Sequence, residues 1–297
     1  MPHAYTVVVN DLQQDIRTLV AFIREYPRLV VLTGAGISVD SGIPTYRDSD
    51  GRWLHSTPIR HHEFITSAAT RRRYWARSWH GWPAVRDARP NAAHRALATL
   101  ERAGHVERLV TQNVDRLHQR AGSRAVIDLH GRLDTVRCLA CDHCVHRDSV
   151  QAQLAAQNRW VEESGGSARP DGDHDISDDK LADVALPLCE ACGGDLKPDV
   201  VFFGGNIPAR RLEACTTALE RAHGLLAVGS SLQVFSGFRL CRSMHRVGKP
   251  VLIVNPGVTR ADDLASAHLR SPAAALLDGA AAALRLTRPA CAGDNPN

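Results

Sequence analysis

The chain has 297 residues, 44% of them hydrophobic and 23% charged, with a formal net charge of +4. That length can bury one large core or two unequal ones, and the composition is that of an ordinary globular protein. The charge is too small to argue for nucleic acid, no apolar run reaches membrane-spanning length, and no N-terminal stretch reads as an export signal. The expectation is a cytoplasmic protein with no nucleic-acid and no membrane partner.

In chain order, residues 11–25 place Ile16, Leu19, Val20 and Ile23 at helical spacing, with Asn10 or Asp11 as the cap. The apolar run 29–32 reads as a buried parallel strand. Gly34-Ala35-Gly36 follows at once, where the backbone can turn sharply and a ligand can approach without meeting a Cβ. Ser38 and Asp40 sit where a helix could start, and free amides with a positive dipole end suit a phosphate. Residues 51–90, rich in Trp, His and Arg, read as an inserted helical module. Residues 91–103 form a clearer helix, capped by Asn91 and closed by Gly104. Short apolar runs at 108–111, 125–129, 225–228 and 251–254 alternate with helical patterns such as 208–221 and 238–247, and 273–286 reads as a final helix. This alternation predicts an α/β fold with a doubly wound, Rossmann-like parallel sheet. Its domain would comprise residues 1–50, 91–131 and 199–297.

Each apolar run ends in small, polar or ionisable residues. They are Thr33-Gly34-Ala35-Gly36, then Gln112-Asn113-Val114-Asp115, His130-Gly131, Gly229-Ser230-Ser231 and Asn255-Pro256-Gly257. Open α/β sheets bind ligands outside the carboxyl ends of their strands, so these five loops describe one crevice. His130 ends a strand, precedes a glycine and has the near-neutral pKa that suits a general base. Gln112, Asn113 and Asp115 can hold a carboxamide, ribose hydroxyls or a developing cation, or simply form an Asx-turn. The G-x-G-x-x-G spacing of classical dehydrogenases is absent.

Residues 132–198 break the pattern. They carry C-x-x-C pairs at Cys138/Cys141 and Cys189/Cys192, and Cys141/Cys144 repeats the spacing. Four thiolates close a tetrahedral shell around zinc and leave no place for water, so the metal would be structural. The middle, 162–183, is rich in Gly, Ser and Asp and reads as a mobile acidic loop in a small zinc-binding module. Cys215, Cys241 and Cys291 read as core or surface residues.

The string TGAGIS (Thr33 to Ser38, including Ile37), then Ser41 to Pro44 and Tyr46-Arg47-Asp48, resembles the signature of the sirtuins, NAD-dependent protein lysine deacylases. The family usually has Phe at the position of Tyr46. The likeness covers roughly residues 29–264. It implies that NAD is a co-substrate held by the loops at 34–47, 229–231 and 255–257. It also implies that Asn113 and Asp115 form the nicotinamide pocket and that His130 is the catalytic base. Sirtuins place their first zinc cysteine eight residues after that histidine, which selects Cys138, Cys141, Cys189 and Cys192 and leaves Cys144 spare. The segment KPDVVFFG, Lys197 to Gly204, resembles the edge against which an acyl-lysine peptide pairs, with Val201 and Phe202 or Phe203 walling the lysine tunnel. The family continues with an acidic residue, where this chain has Gly205. The strings RYWARSWHGWP and GSSLQVFSG look most like class II, the class of mitochondrial, weakly deacetylating members, in bacterial form. Tyr74 and Arg77 share a helix face, and such a pair serves some sirtuins for acidic acyl groups. The resemblance implies nicotinamide, O-acyl-ADP-ribose and free lysine as products, with mono-ADP-ribosyl transfer to a protein as the rival activity.

Overall fold

The computed structural model describes residues 11–46, 58–158 and 183–285. Arg47, Asp48, Cys291 and all but one residue of the 162–183 loop lie outside them. Among the described residues the strands are β1 (Leu29–Thr33), β2 (Val106–Thr111), β3 (Val126–Asp128), β4 (Gly131–Cys138), β5 (Cys144–His146), β6 (Leu196–Val200), β7 (Gly224–Val228), β8 (Val251–Val254) and β9 (Ala267–Leu269). Six of them form a parallel sheet in the order β3-β2-β1-β7-β8-β9. The helices are α1 (Leu12–Glu25), α2 (His61–Thr66), α3 (Ala68–Asp87), α4 (Ala92–Arg102), α5 (Leu117–Arg120), α6 (Arg147–Gln157), α7 (Ala209–Arg221), α8 (Phe235–Arg246) and α9 (Ala273–Ala283).

β1 is central because every one of its side chains is apolar or can be satisfied internally, and all five residues are buried. Its side chains alternate between two cores. Leu29 and Val31 pack with Leu19 and Ile23 of α1, Leu97 and Leu100 of α4 and Leu276 and Leu277 of α9. Val30 and Leu32 pack with Cys215 and Leu219 of α7 and Leu240, Cys241 and Met244 of α8. Truncating Leu32 to alanine would remove about 2–5 kcal/mol from a site with no solvent to refill it. The sheet order reverses at β1: the chain runs outward to β2 and β3, then returns to β7 on the other side. That reversal leaves a crevice at the carboxyl ends of β1 and β7.

The caps follow the sequence. The Asp11 carboxylate accepts from the Gln13 and Gln14 amides at 3.0 and 3.1 Å, and Asn91 caps α4 in the same way. α8 begins three residues earlier than its periodicity indicates. Gly237 and Phe238 both donate to Val234 O at 3.2 Å, and a glycine in that first turn masks the helical signal.

The remaining strands, β5-β4-β6, form a small antiparallel sheet. Its core interleaves two segments that are distant in sequence. Phe64, Trp75 and Trp79 of α2 and α3 pack with Val136, Cys138, Val150, Leu154 and Cys189. The described residues of 58–90, 132–158 and 183–198 thus contribute to one shared core, and residue 199 lies inside β6. Pro83 lies within α3 and cannot donate to Trp79 O; the side-chain amide of Gln151 fills that place at 2.9 Å. Arg147 is only 1% exposed, with Trp75 and Trp82 rings 5.3 and 5.6 Å from its guanidinium. It donates to Ser78 O and Oγ, and burial pushes its pKa down to about 10.

Candidate active site

A cavity of about 680 Å³ opens along the carboxyl edge of the parallel sheet, within the usual range for a small-molecule site. Loops following β1, β2, β3, β7 and β8 all contribute to its walls. Every cofactor or substrate residue expected from sequence lines it, except Gly34, Ser38 and Asp115, with Arg47 outside the described residues.

The glycines bring two of these loops into contact. Gly36 N donates to Gly229 O at 2.8 Å. A Cβ on Gly36 would lie 2.8 Å from that oxygen, and one on Gly229, at φ +60°, would lie 2.4 Å from Ile37 N. The glycines thus serve loop-to-loop packing as well as ligand access. The segment Ala35–Ser41 is a short 3₁₀ helix that begins directly after Gly34. Asp40 therefore falls in its last turn, exposed, and not at a helix start.

Asp115 does not face the cavity. Its carboxylate accepts from Ser38 Oγ at 2.7 Å and from Leu117 N at 2.9 Å, and burial raises its pKa against those two bonds. Ser38 Oγ accepts in turn from the Asn113 side-chain amide at 3.1 Å, which also donates to Gly34 O at 3.1 Å. Asp115, Ser38 and Asn113 thereby tie the loop after β2 to the loop after β1. Gln112 Oε1 accepts from Ser230 Oγ at 2.8 Å, tying in the loop after β7.

His130 sits where these loops meet. Its Nδ1 lies 3.0 Å from Gln112 O, a group that only accepts, so Nδ1 carries the proton. Nε2 then presents a lone pair, which takes the Ser236 hydroxyl at 2.7 Å. Burial lowers the ring's pKa to about 4 and keeps it neutral near pH 7. Ser236, on the first turn of α8, also lines the cavity. Sequence reasoning missed it, because a serine in a helical first turn has no local signal for a partner 106 residues away.

The apolar end is formed by Val201, Phe202 and Phe203. β6 stops at Val200, and Val201 N donates to His130 O at 2.8 Å. Phe203 O is already taken by His61 N at 2.8 Å, so only part of this segment remains open to a peptide. Phe202 packs on Phe64 and Tyr74, with ring centroids 5.1 and 5.3 Å away, and the Lys197 ammonium lies 4.5 Å from its ring. Tyr74 is 5% exposed and stands behind Phe202 rather than in the cavity; Arg77 is half-buried. This pair is not the solvated helix face that its spacing alone allows.

Cys138, Cys141, Cys189 and Cys192 bring their Sγ atoms within 4.8 Å of one another. The separations of 3.5, 3.8 and 3.4 Å are too long for a disulfide and fit four thiolates around one zinc ion. The Ala140 amide donates to Cys138 Sγ at 3.3 Å, and Gly194 leaves no Cβ against Cys138 and Cys192. Cys144 stands apart, on β5, with its thiol directed to Asp142 O. Cys215 and Cys241 are buried core residues.

Comparison with known proteins agrees with this geometry. Residues 34–236 match the model of the Sir2 family. An NAD-dependent protein deacetylase of Xanthomonas campestris pv. campestris is 50% identical over 256 residues, covering 86% of this chain and 87% of that protein. One from Bordetella bronchiseptica is 47% identical over 265 residues, covering 89% and 96%. A solved complex of Sir2 with a p53 peptide and NAD+ superposes with a TM-score of 0.73 at 30% identity, over 91% of this chain and 98% of that one.

Proposed function

This chain belongs to the Sir2 family, and on that premise we propose that it is an NAD-dependent protein lysine deacylase which consumes NAD as a co-substrate. NAD supplies a glycosidic bond to nicotinamide whose cleavage makes ADP-ribose the acyl acceptor, with nicotinamide, O-acyl-ADP-ribose and free lysine as products. The loops at 34–46, 229–231 and 255–257 would hold the dinucleotide, and the cavity's volume and its position at the topological switch fit such a ligand.

Each residue then has a role that its surroundings support. Asn113 lines the cavity with its amide N–H groups engaged by Gly34 O and Ser38 Oγ, which leaves its carbonyl oxygen to accept from nicotinamide, while Asp115 holds Ser38 and Asn113 in register from behind. The neutral His130 offers Nε2 as a proton acceptor for a sugar hydroxyl, which must take the place of the Ser236 hydroxyl or pass its proton to Nε2 through it. Val201, Phe202 and Phe203 exclude water around the lysine stem. The zinc ion would be held by four cysteines with no open position, so it supports the small sheet and takes no part in the chemistry.

The observation that carries this reading is His130, held neutral and oriented through Gln112 O, on the wall of a cavity built by five strand-end loops. The test is a panel of acetyl-, succinyl-, glutaryl- and long-chain acyl-lysine peptides with NAD, scored by mass spectrometry for wild type and His130→Ala. Loss of the acyl group with release of nicotinamide, abolished by the substitution, is expected. ADP-ribose added to the protein target would favour transferase activity instead, and NAD left intact with every peptide would overturn both. The succinyl and glutaryl arms also decide whether Tyr74 and Arg77, behind Phe202, reach an acidic acyl group.

A further inference from the structure

The rim of the cavity carries exposed aromatic rings flanked by arginines whose guanidinium groups make no ion pair among the described residues. Phe235 is 48% exposed and lines the mouth on one bank. The Arg242 guanidinium lies 5.1 Å from its ring centroid, and that of Arg260 lies 5.8 Å from it and 4.4 Å from the Phe238 ring. Arg260 also donates to Gln233 O, part of the same bank, at 3.3 Å. On the opposite bank Phe203 is 38% exposed, and Arg60 is bridged to it backbone to backbone. Among the described residues, none of these three guanidinium groups has a carboxylate within ion-pair distance.

The acids nearest in sequence are engaged elsewhere: Glu63 accepts from Arg60 N at 3.1 Å, and Asp262 accepts from Thr259 N and Oγ1. No Asp or Glu occurs in 200–212, which holds two arginines, or in 229–250, which holds three arginines and one lysine. Asp40 is the single carboxylate among the described lining residues, and it belongs to the loop after β1 rather than to either bank. Stacking on an aromatic ring holds a guanidinium in place and leaves its N–H edge for a carboxylate.

We infer that the two banks, through Arg242 and Arg260 on one side and Arg60 on the other, select acyl-lysine segments whose flanking residues are acidic. The lysine stem enters between Phe203 and Phe235, and carboxylates within about three residues of it meet the rim guanidinium groups. The inference rests on the deacylase reading. It goes beyond that reading by naming the chemical class of the protein segment bound. Charge pairs at such an exposed rim act mainly on encounter and on selection between partners, and salt weakens them.

The experiment uses one acetyl-lysine peptide frame with Glu, Gln or Lys at the flanking positions. Binding is read by fluorescence anisotropy of labelled peptides, and turnover by acyl loss with NAD. The Glu-flanked peptide should bind and turn over about tenfold better than the Lys-flanked one at low salt. That ratio should collapse toward one in 0.5 M salt and in the Arg242→Gln/Arg260→Gln double variant. The ratio is the discriminating readout, because partial misfolding lowers every peptide alike and leaves it unchanged. A wild-type ratio near one overturns the inference. So does a ratio that survives both substitutions, or a variant whose defect appears only in the KM for NAD, which would assign the arginines to the dinucleotide's phosphates. If no peptide loses its acyl group, the deacylase reading fails, while anisotropy still reports the flank preference independently.

Discussion

The ring of His94 lies 4.8 Å from that of His118, centroid to centroid, and neither side chain is more than 1% exposed. Thr33 gives its hydroxyl proton to Thr111 Oγ1 at 2.9 Å, so His118 Nε2, 2.8 Å from Thr33 Oγ1, must donate to it. His94 Nδ1 lies 3.3 Å from Asn91 N and 3.0 Å from Asn91 Oδ1. His94 Nε2 and His118 Nδ1 are both buried with no hydrogen-bond partner among the described residues, so a second proton on either ring would find no acceptor and both rings stay neutral. Burial enforces this, lowering His94 to about 3 and His118 well below its usual value.

Acid should therefore weaken the fold before it titrates the site. In the unfolded chain a histidine takes up its proton near pH 6.5, whereas in the fold burial holds His94 down to about 3, His130 to about 4 and His118 well below its usual value. The unfolded state binds more protons across that window, so stability falls as pH falls. Between pH 6.5 and 5.5 each ring costs about 1 kcal/mol, or about 3 kcal/mol for three. Asp115 works in the opposite sense, since its raised pKa gives stability that is lost as pH rises. Urea unfolding at the two pH values reads the sum, and His118→Gln should remove about a third of the slope; a pH-independent midpoint would contradict the account.

The same chain of bonds reaches the cavity, because Thr111 Oγ1 also accepts from Asn113 N at 3.1 Å. Thr33→Val keeps the shape and deletes the hydroxyl. We expect a loss of about 1–2 kcal/mol in stability. Inhibition by nicotinamide should weaken several-fold while the acyl-peptide KM is little changed. Equal shifts in both constants would argue against a link to Asn113.

Gly229 tolerates no side chain. Its φ of +60° is strained for other residues, and a Cβ would sit 2.4 Å from Ile37 N. Gly229→Ala should part the loops after β1 and β7, costing about 2–4 kcal/mol and abolishing measurable NAD binding by calorimetry. Near-normal binding would mean that the loop contact is dispensable.

The cysteines predict a metal count. Purified protein should contain one zinc per chain, Cys141→Ser should lose it, and Cys144→Ser should keep it. Because Trp75 and Trp79 share a core with Cys138 and Cys189, chelation should also redshift tryptophan emission. Zinc lost from Cys144→Ser alone would reassign the site.

The strand at 29–33, the glycines after it and the spacing of the cysteine pairs were legible in sequence, because each is a pattern of neighbouring residues. The polar ends of five apolar runs foretold the crevice for the same reason. Other features rest on separations of 78 to 118 residues: Thr33 with Thr111, His118 with Thr33, Ser236 on His130, Ser230 on Gln112. No local period encodes these, since they depend on the parallel register that sets Thr33 beside both Thr111 and Val228. Asp115 shows the distinction within one motif. Its sequence position marked a site, but only packing could turn its carboxylate away from the cavity toward Ser38, where burial and two donors fix its work.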